Sequence, residues 1–214
     1  MTPFFPSPSL AAAYLVACIL LAATPGADMA LFLSRTLAGG QAQGLAAQAG
    51  ANVGLVIHTF AAALGLSALL AASAEAYETV KIVGALYLLW LAWRAMRHGS
   101  ALKVKADASA RGGLRGAFAN GLLINLTNPK IVLFFVTFLP QFTSASDRHA
   151  SVKLFVLGFG FIAITTAVNA IVIFVAGRAV AAAKRNPGAL RVFDYGFAAL
   201  MSAFAARIVW SEAR

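Results

Sequence analysis

Three stretches of this chain, residues 1–27, 36–74 and 154–177, contain no Asp, Glu, Lys or Arg. Each is long enough for the roughly 20 apolar residues that carry a helix across the hydrocarbon core of a bilayer. With the apolar runs between the remaining charge clusters, the pattern predicts six spans at about 9–34, 45–73, 77–96, 117–139, 152–178 and 190–211. Glu78 and Lys81 bound the third at one end and Arg94 and Arg97 at the other, and its Tyr87, Trp90 and Trp93 suit an interfacial helix end. Asp194 and Arg207 leave the sixth only a short charge-free centre.

Composition agrees. Of 214 residues, 61% are hydrophobic and 11% charged, against about 25% charged in a soluble domain, which excludes a soluble fold and leaves one transmembrane domain over 1–214. A formal net charge of +10 would point a soluble protein toward nucleic acid. Here the basic residues are segregated instead. Eleven lie in the connections after spans one, three and five: Arg35; Arg94, Arg97, Lys103, Lys105, Arg111 and Arg115; Arg178, Lys184, Arg185 and Arg191. Five lie on the opposite side: Lys81, Arg148, Lys153, Arg207 and Arg214. Basic residues near span ends stay cytoplasmic, so both termini are expected outside the cytoplasm, with the loop at about 94–116 inside and against anionic lipid. That loop has no aromatic residue to stack on a base, and no nucleic-acid partner is expected. Met1 to Ser9 holds three prolines and no basic residue, unlike a signal peptide, so the first helix is expected to stay. A lone cysteine, Cys18, makes neither a disulfide nor a cysteine metal site within one chain.

Six spans divide into a first repeat at about 1–96, a basic linker at about 97–116 and a second repeat at about 117–214. An odd number of spans per repeat forces inverted topology, a transporter plan. The expected fold is therefore an all-α membrane protein with six transmembrane helices in two inverted three-helix repeats. Proline interrupts the first helix of each: Thr24-Pro25-Gly26-Ala27-Asp28 in span one and Asn125-Leu126-Thr127-Asn128-Pro129-Lys130 in span four. Each proline removes the partner of the carbonyl four residues back, on Leu21 and on Asn125, and in a bilayer such groups need a side chain, water or ligand. Each break also brings a charge to membrane depth, Asp28 and Lys130, where an unpaired charge costs at least ~2.5–3.5 kcal/mol. A single break reads as a kink; two in matched positions read as a binding site.

In span two, Gly50, Gly54 and His58 lie four apart on one face. The glycines suit close helix packing. His58 reads as a hydrogen bond to another helix or as a proton carrier. Gln48 and Asn52 occupy other faces, near a loop.

These residues resemble the lysine exporter and homoserine/threonine resistance group of bacterial amino-acid efflux transporters. The resemblance lies in Thr24-Pro25-Gly26, in Gly50-x-x-x-Gly54-x-x-x-His58, and in the stretch from Lys81 through Gly84 to Tyr87 and Leu88. Most specific is the block from Phe118 to Gly121 through Asn125-Leu126-Thr127-Asn128-Pro129-Lys130 to Phe138-Leu139-Pro140-Gln141-Phe142. The group commonly has a second proline after Pro-Gly; Ala27 stands there in this chain, which predicts a milder first break. Span six matches only loosely. The resemblance implies a multi-pass protein of the bacterial inner membrane that exports amino acids or related metabolites, not an enzyme and without a cofactor, with proton antiport as coupling. Sodium coupling, the substrate and a homodimer stay open.

A zwitterion at a midplane site needs partners for both charges. The expected substrate site comprises Thr24, Pro25, Gly26, Asp28, Asn125, Asn128, Pro129 and Lys130. Asp28 and the carbonyl of Leu21 take the ammonium; Lys130, Asn125, Asn128 and the amides of the half-helix from Pro129 take the carboxylate. Asp28 or His58 would carry the proton, and Gly50, Gly54 and Gly84 would pack helices. No P-loop is present, so export is expected to draw on an ion gradient rather than ATP; the alternatives are efflux of metal cations, against which the lack of a metal ligand pair counts, efflux of another small solute, or a passive channel, on the same scaffold.

Overall fold

The computed structural model describes residues 8–73, 112–143 and 149–176 without a break, together with Asp147, Arg178 and scattered helical positions within 75–93 and 192–206. Gly84, most of the third and sixth predicted spans and residues 97–111 of the 97–116 linker lie outside the described residues. Among those described, every regular element is helical. Two helices are long and apolar enough to cross a membrane, Gln41–Leu66 and Ala150–Phe174, and two bent pairs do so together, Leu10–Ala23 with Ala27–Gly39 and Gly113–Thr127 with Pro129–Phe142. These correspond to the predicted spans one, two, four and five.

Both bent spans break near their midpoints, where the prolines stand. Helix α1 (Pro8–Ala23) ends because Pro25 has no amide hydrogen. The Leu20 carbonyl accepts from both the amide (2.9 Å) and the hydroxyl (2.6 Å) of Thr24. Helix α2 (Ala27–Gly39) restarts after an extended Gly26, bent by 49°. Gly40, with φ +80° and ψ 172°, holds a backbone conformation open essentially to glycine alone, and it turns α2 directly into α3 (Gln41–Phe60). A π-helical stretch, Ala61–Leu66, and α4 (Ser67–Ala72) continue that span. Helix α5 (Gly113–Thr127) ends at Asn128, the next residue being a proline that disfavours helical backbone before it. Helix α6 (Pro129–Leu133) follows at 51° and passes into a π-helical stretch, Phe134–Phe138, and a 3-10 turn, Leu139–Phe142. The break with one proline in the Pro-Gly motif is thus bent about as far as the other. Helix α7 (Ala150–Phe174) is unbroken.

The interior is tightest where α3 crosses α5. A Cβ added at Gly50 would lie 1.9 Å from the Phe118 carbonyl oxygen, and one at Gly121 would lie 1.9 Å from that of Ala47. The two backbones touch directly, as small residues allow. Around the second half of span four an aromatic cluster forms. Phe134 stacks on Phe161 at 4.1 Å between centroids and on Phe138 at 4.9 Å, and Tyr14 meets Phe142 edge-on at 5.4 Å. The Tyr14 hydroxyl donates to the Leu157 carbonyl, tying span one to span five. Large apolar side chains also cover the outside: Leu123 and Ile171 are each 63% exposed, as a lipid-facing surface requires. Arg35, counted above with a connection, instead lies inside α2 at 5% exposure, because the helix runs on to Gly39. Ahead of α7, Asp147 accepts from the His149 amide and pairs with Lys153. Partial burial works against its charge, yet these two donors hold its carboxyl below the ordinary carboxylate range.

Two glycines of α7 make a matched test. A Cβ at Gly158 would lie 2.5 Å from Thr59 Cγ2, whereas one at Gly160 would meet nothing closer than the Tyr14 hydroxyl oxygen at 3.6 Å. Gly158→Ala is expected to cost roughly 1–3 kcal/mol by overpacking. Gly160→Ala is expected to be neutral or slightly stabilising through helix propensity. Thermal unfolding of the two variants in detergent, side by side, checks the order.

A polar cavity between two broken helices

The two breaks face one another. Between them lies a cavity of about 40 Å³, room for roughly three waters. Its polar lining comes from both bent spans, with Thr24, Gly26 and Asp28 on one side and Asn125, Asn128 and Lys130 on the other. Asn52 of α3 and Thr165 and Asn169 of α7 complete it, and Leu21, Met29, Phe32, Leu55, Ile131 and Phe161 supply apolar wall. The charges at the two breaks therefore line one cavity.

Asp28 stands in the first turn of α2, where a negative charge complements the helix dipole. Its Oδ2 accepts from Asn125 Nδ2 at 2.8 Å, while Oδ1 is buried without a hydrogen-bond partner. Asn125, 1% exposed, links three elements. Its amide reaches Asp28, its carbonyl accepts from the Asn128 amide at 3.1 Å, and the same carbonyl stands 3.4 Å from His58 Nε2. Gly54 makes room for this side chain, since a Cβ there would fall 2.5 Å from Asn125 Oδ1. His58 lies behind Asn125 rather than on the cavity wall, its ring stacked on Phe135 at 5.6 Å.

The second break satisfies its own half-helix. Asn128 Oδ1 accepts from the Lys130 amide at 3.1 Å, and the Asn128 carbonyl accepts from the amides of Ile131 and Val132, each at 3.0 Å. Pro129 at the first position has no amide hydrogen to lose. The amides that the sequence offered to a carboxylate are thus already taken. Lys130 is also placed otherwise than its neighbourhood implied. Its Nζ crosses to the other break and donates to the carbonyls of Leu21 at 2.6 Å and Thr24 at 2.8 Å. The carbonyl that Pro25 deprives of a partner is held by the lysine of the opposite span. Pro25 itself is half-buried at the break and is not part of the lining.

Thr165 and Asn169 escaped the sequence analysis, and Gln48 and Asn52, expected near a loop, are not loop-proximal. Gln48, 3% exposed, donates to the Thr166 carbonyl at 2.7 Å, and Asn52 lines the cavity. The available signal was an Asn four residues after a Thr in an otherwise apolar span, which puts both on one helix face. Among the described residues no three His, Cys, Asp or Glu side chains group to hold a metal ion.

The chain is similar in sequence to several known proteins. An uncharacterized membrane protein of Vibrio cholerae is 34% identical over 165 residues, covering 76% of each chain. A homoserine/homoserine lactone efflux protein of Salmonella typhimurium is 34% identical over 132 residues, 61% of this chain and 63% of that one. A leucine efflux protein of Salmonella choleraesuis is 30% identical over 144 residues, 67% of this chain and 68% of that one. No solved structure matches the chain significantly. The description of LysE type translocators matches residues 19–212, and the chain belongs to that family.

Proposed function

We propose that this protein is a secondary exporter of amino acids or closely related small metabolites in the bacterial inner membrane. The observation that carries the reading is one polar cavity at the midpoints of two bent spans, with Asp28 on one break and Lys130 on the other. A zwitterion needs both signs at one place, and a membrane-depth cavity offering both is costly to maintain for any other reason. The efflux proteins among its relatives support the substrate class. In this reading Thr24, Gly26, Asp28, Asn125, Asn128 and Lys130 contact substrate, while Pro25 and Pro129 create the breaks. The six spans form two inverted repeats with both termini outside, and the repeats rock about the cavity to open it alternately to either side. Export is driven by proton antiport, with Asp28 or His58 taking up the proton.

Reconstituted protein tests it. Proteoliposomes loaded in turn with radiolabelled homoserine, leucine, threonine and lysine are expected to release at least one of them faster when the outside is made acidic. Release that ignores both the imposed pH gradient and an uncoupler would remove the proton from the scheme. Failure to release any member of the panel would remove the amino acid.

A further inference from the structure

The ammonium of Lys130 rests on two backbone carbonyls, those of Leu21 and Thr24, beside a cavity that Asp28 also lines. That is the coordination a substrate's own ammonium would need there, because the Leu21 carbonyl lacks its helical partner and Asp28 Oδ1 has none. With Lys130 in place the space left over is about 40 Å³.

We propose that Lys130 is a tethered stand-in for the substrate's ammonium. In the empty carrier it fills the ammonium subsite at Leu21 and Thr24. An arriving amino acid displaces it, sets its own ammonium on the two carbonyls, and gives its carboxylate to the released lysine. This rests on the amino-acid reading above and assigns the subsites within it. Through the exchange neither carbonyl is left bare in a low-dielectric setting, where an unmet polar group is costly. It also selects for zwitterions. A simple amine displaces Lys130 but leaves that charge without a partner, and a simple carboxylate has nothing with which to displace it.

The test is direct binding to purified protein, measured by calorimetry for leucine and homoserine and for their decarboxylated amines, 3-methylbutylamine and 3-aminopropanol. Wild-type protein is expected to bind an amino acid and to bind its amine weakly. In Lys130→Ala, where the carbonyls stand open, the amine is expected to gain about tenfold or more in affinity; Lys130→Gln provides the same comparison should the alanine variant fold poorly. An amine affinity that is unchanged while the amino acid weakens would make Lys130 a carboxylate ligand alone and overturn the proposal. To separate donation from bare charge, Lys130→Cys in a Cys18→Ala background is labelled with an aminoethyl or a trimethylammonioethyl methanethiosulfonate. Only the aminoethyl group, which carries N–H donors, is expected to suppress amine binding again; equal suppression by both would reduce the effect to charge and overturn the displacement. Wild-type protein that binds none of homoserine, leucine, threonine and lysine defeats the amino-acid reading itself, whereas amino-acid binding without the amine gain defeats the displacement alone.

Discussion

Asp28→Asn is expected to abolish amino-acid efflux from loaded proteoliposomes while the protein reaches the membrane at the wild-type level. The substitution is nearly isosteric, and the new carboxamide oxygen accepts from Asn125 Nδ2 as Oδ2 does now at 2.8 Å, so the link between the two breaks survives. What disappears is the charge beside the unpartnered position of Oδ1. A substrate ammonium left in the cavity without its carboxylate is comparable to a buried charge pair with one member removed, about 3–5 kcal/mol, which corresponds to a loss of at least about a hundredfold in transport. Efflux at the wild-type rate would sink the role given to Asp28 in ammonium binding and in proton coupling together. A rate that is low but no longer responds to an imposed pH gradient would assign Asp28 to the proton.

The largest structural effect is expected at the crossing of α3 and α5. In Gly121→Ala the new methyl group would lie 1.9 Å from the Ala47 carbonyl oxygen and 2.7 Å from its carbon. Both obstacles are backbone, so no rotamer change relieves the clash, and the helices must separate. The expected penalty is at the upper end of the usual overpacking range of about 1–3 kcal/mol or beyond it, visible as a lower unfolding temperature in detergent. Gly50→Ala, against the Phe118 carbonyl, is expected to cost a similar amount. The double variant should cost clearly less than the two combined, because helices parted by one methyl group accommodate the other. Gly65→Ala, with nothing within 4 Å of its added carbon, serves as the control. Additive penalties would mean that the two glycines do not share one contact.

The breaks were legible in the sequence because a proline acts locally, withdrawing a hydrogen bond and forcing the chain before it out of helix whatever surrounds it. The same holds for the charge-free runs, whose meaning depends on length and composition. Direction and partnership were not legible. Lys130 follows Pro129, and its neighbours suggested a carboxylate ligand on its own half-helix; only the packing of two spans carries its ammonium across to Leu21 and Thr24. Asn128, in the same motif, looked like a ligand and is also the cap of α6, a role that capping geometry rather than residue type decides. Periodicity puts Gly50, Gly54 and His58 on one face of α3, but it does not name the neighbour, which is α5 at Phe118 and Asn125. Asn52 and Asn169 meet the cavity from two further helices for the same reason.

The backbone contact of Gly50 with Phe118 and of Gly121 with Ala47 joins span two to span four, which the proposed plan assigns to opposite repeats. If the repeats rock against each other as proposed, two backbones in direct contact cannot slide without first separating, and the crossing would act as a fulcrum. Points near a fulcrum barely move while the far ends sweep wide arcs. Asn125, one turn beyond Gly121, would keep its hold on Asp28 through the whole cycle, and the opening and closing would fall to the ends of the spans, far from the charges.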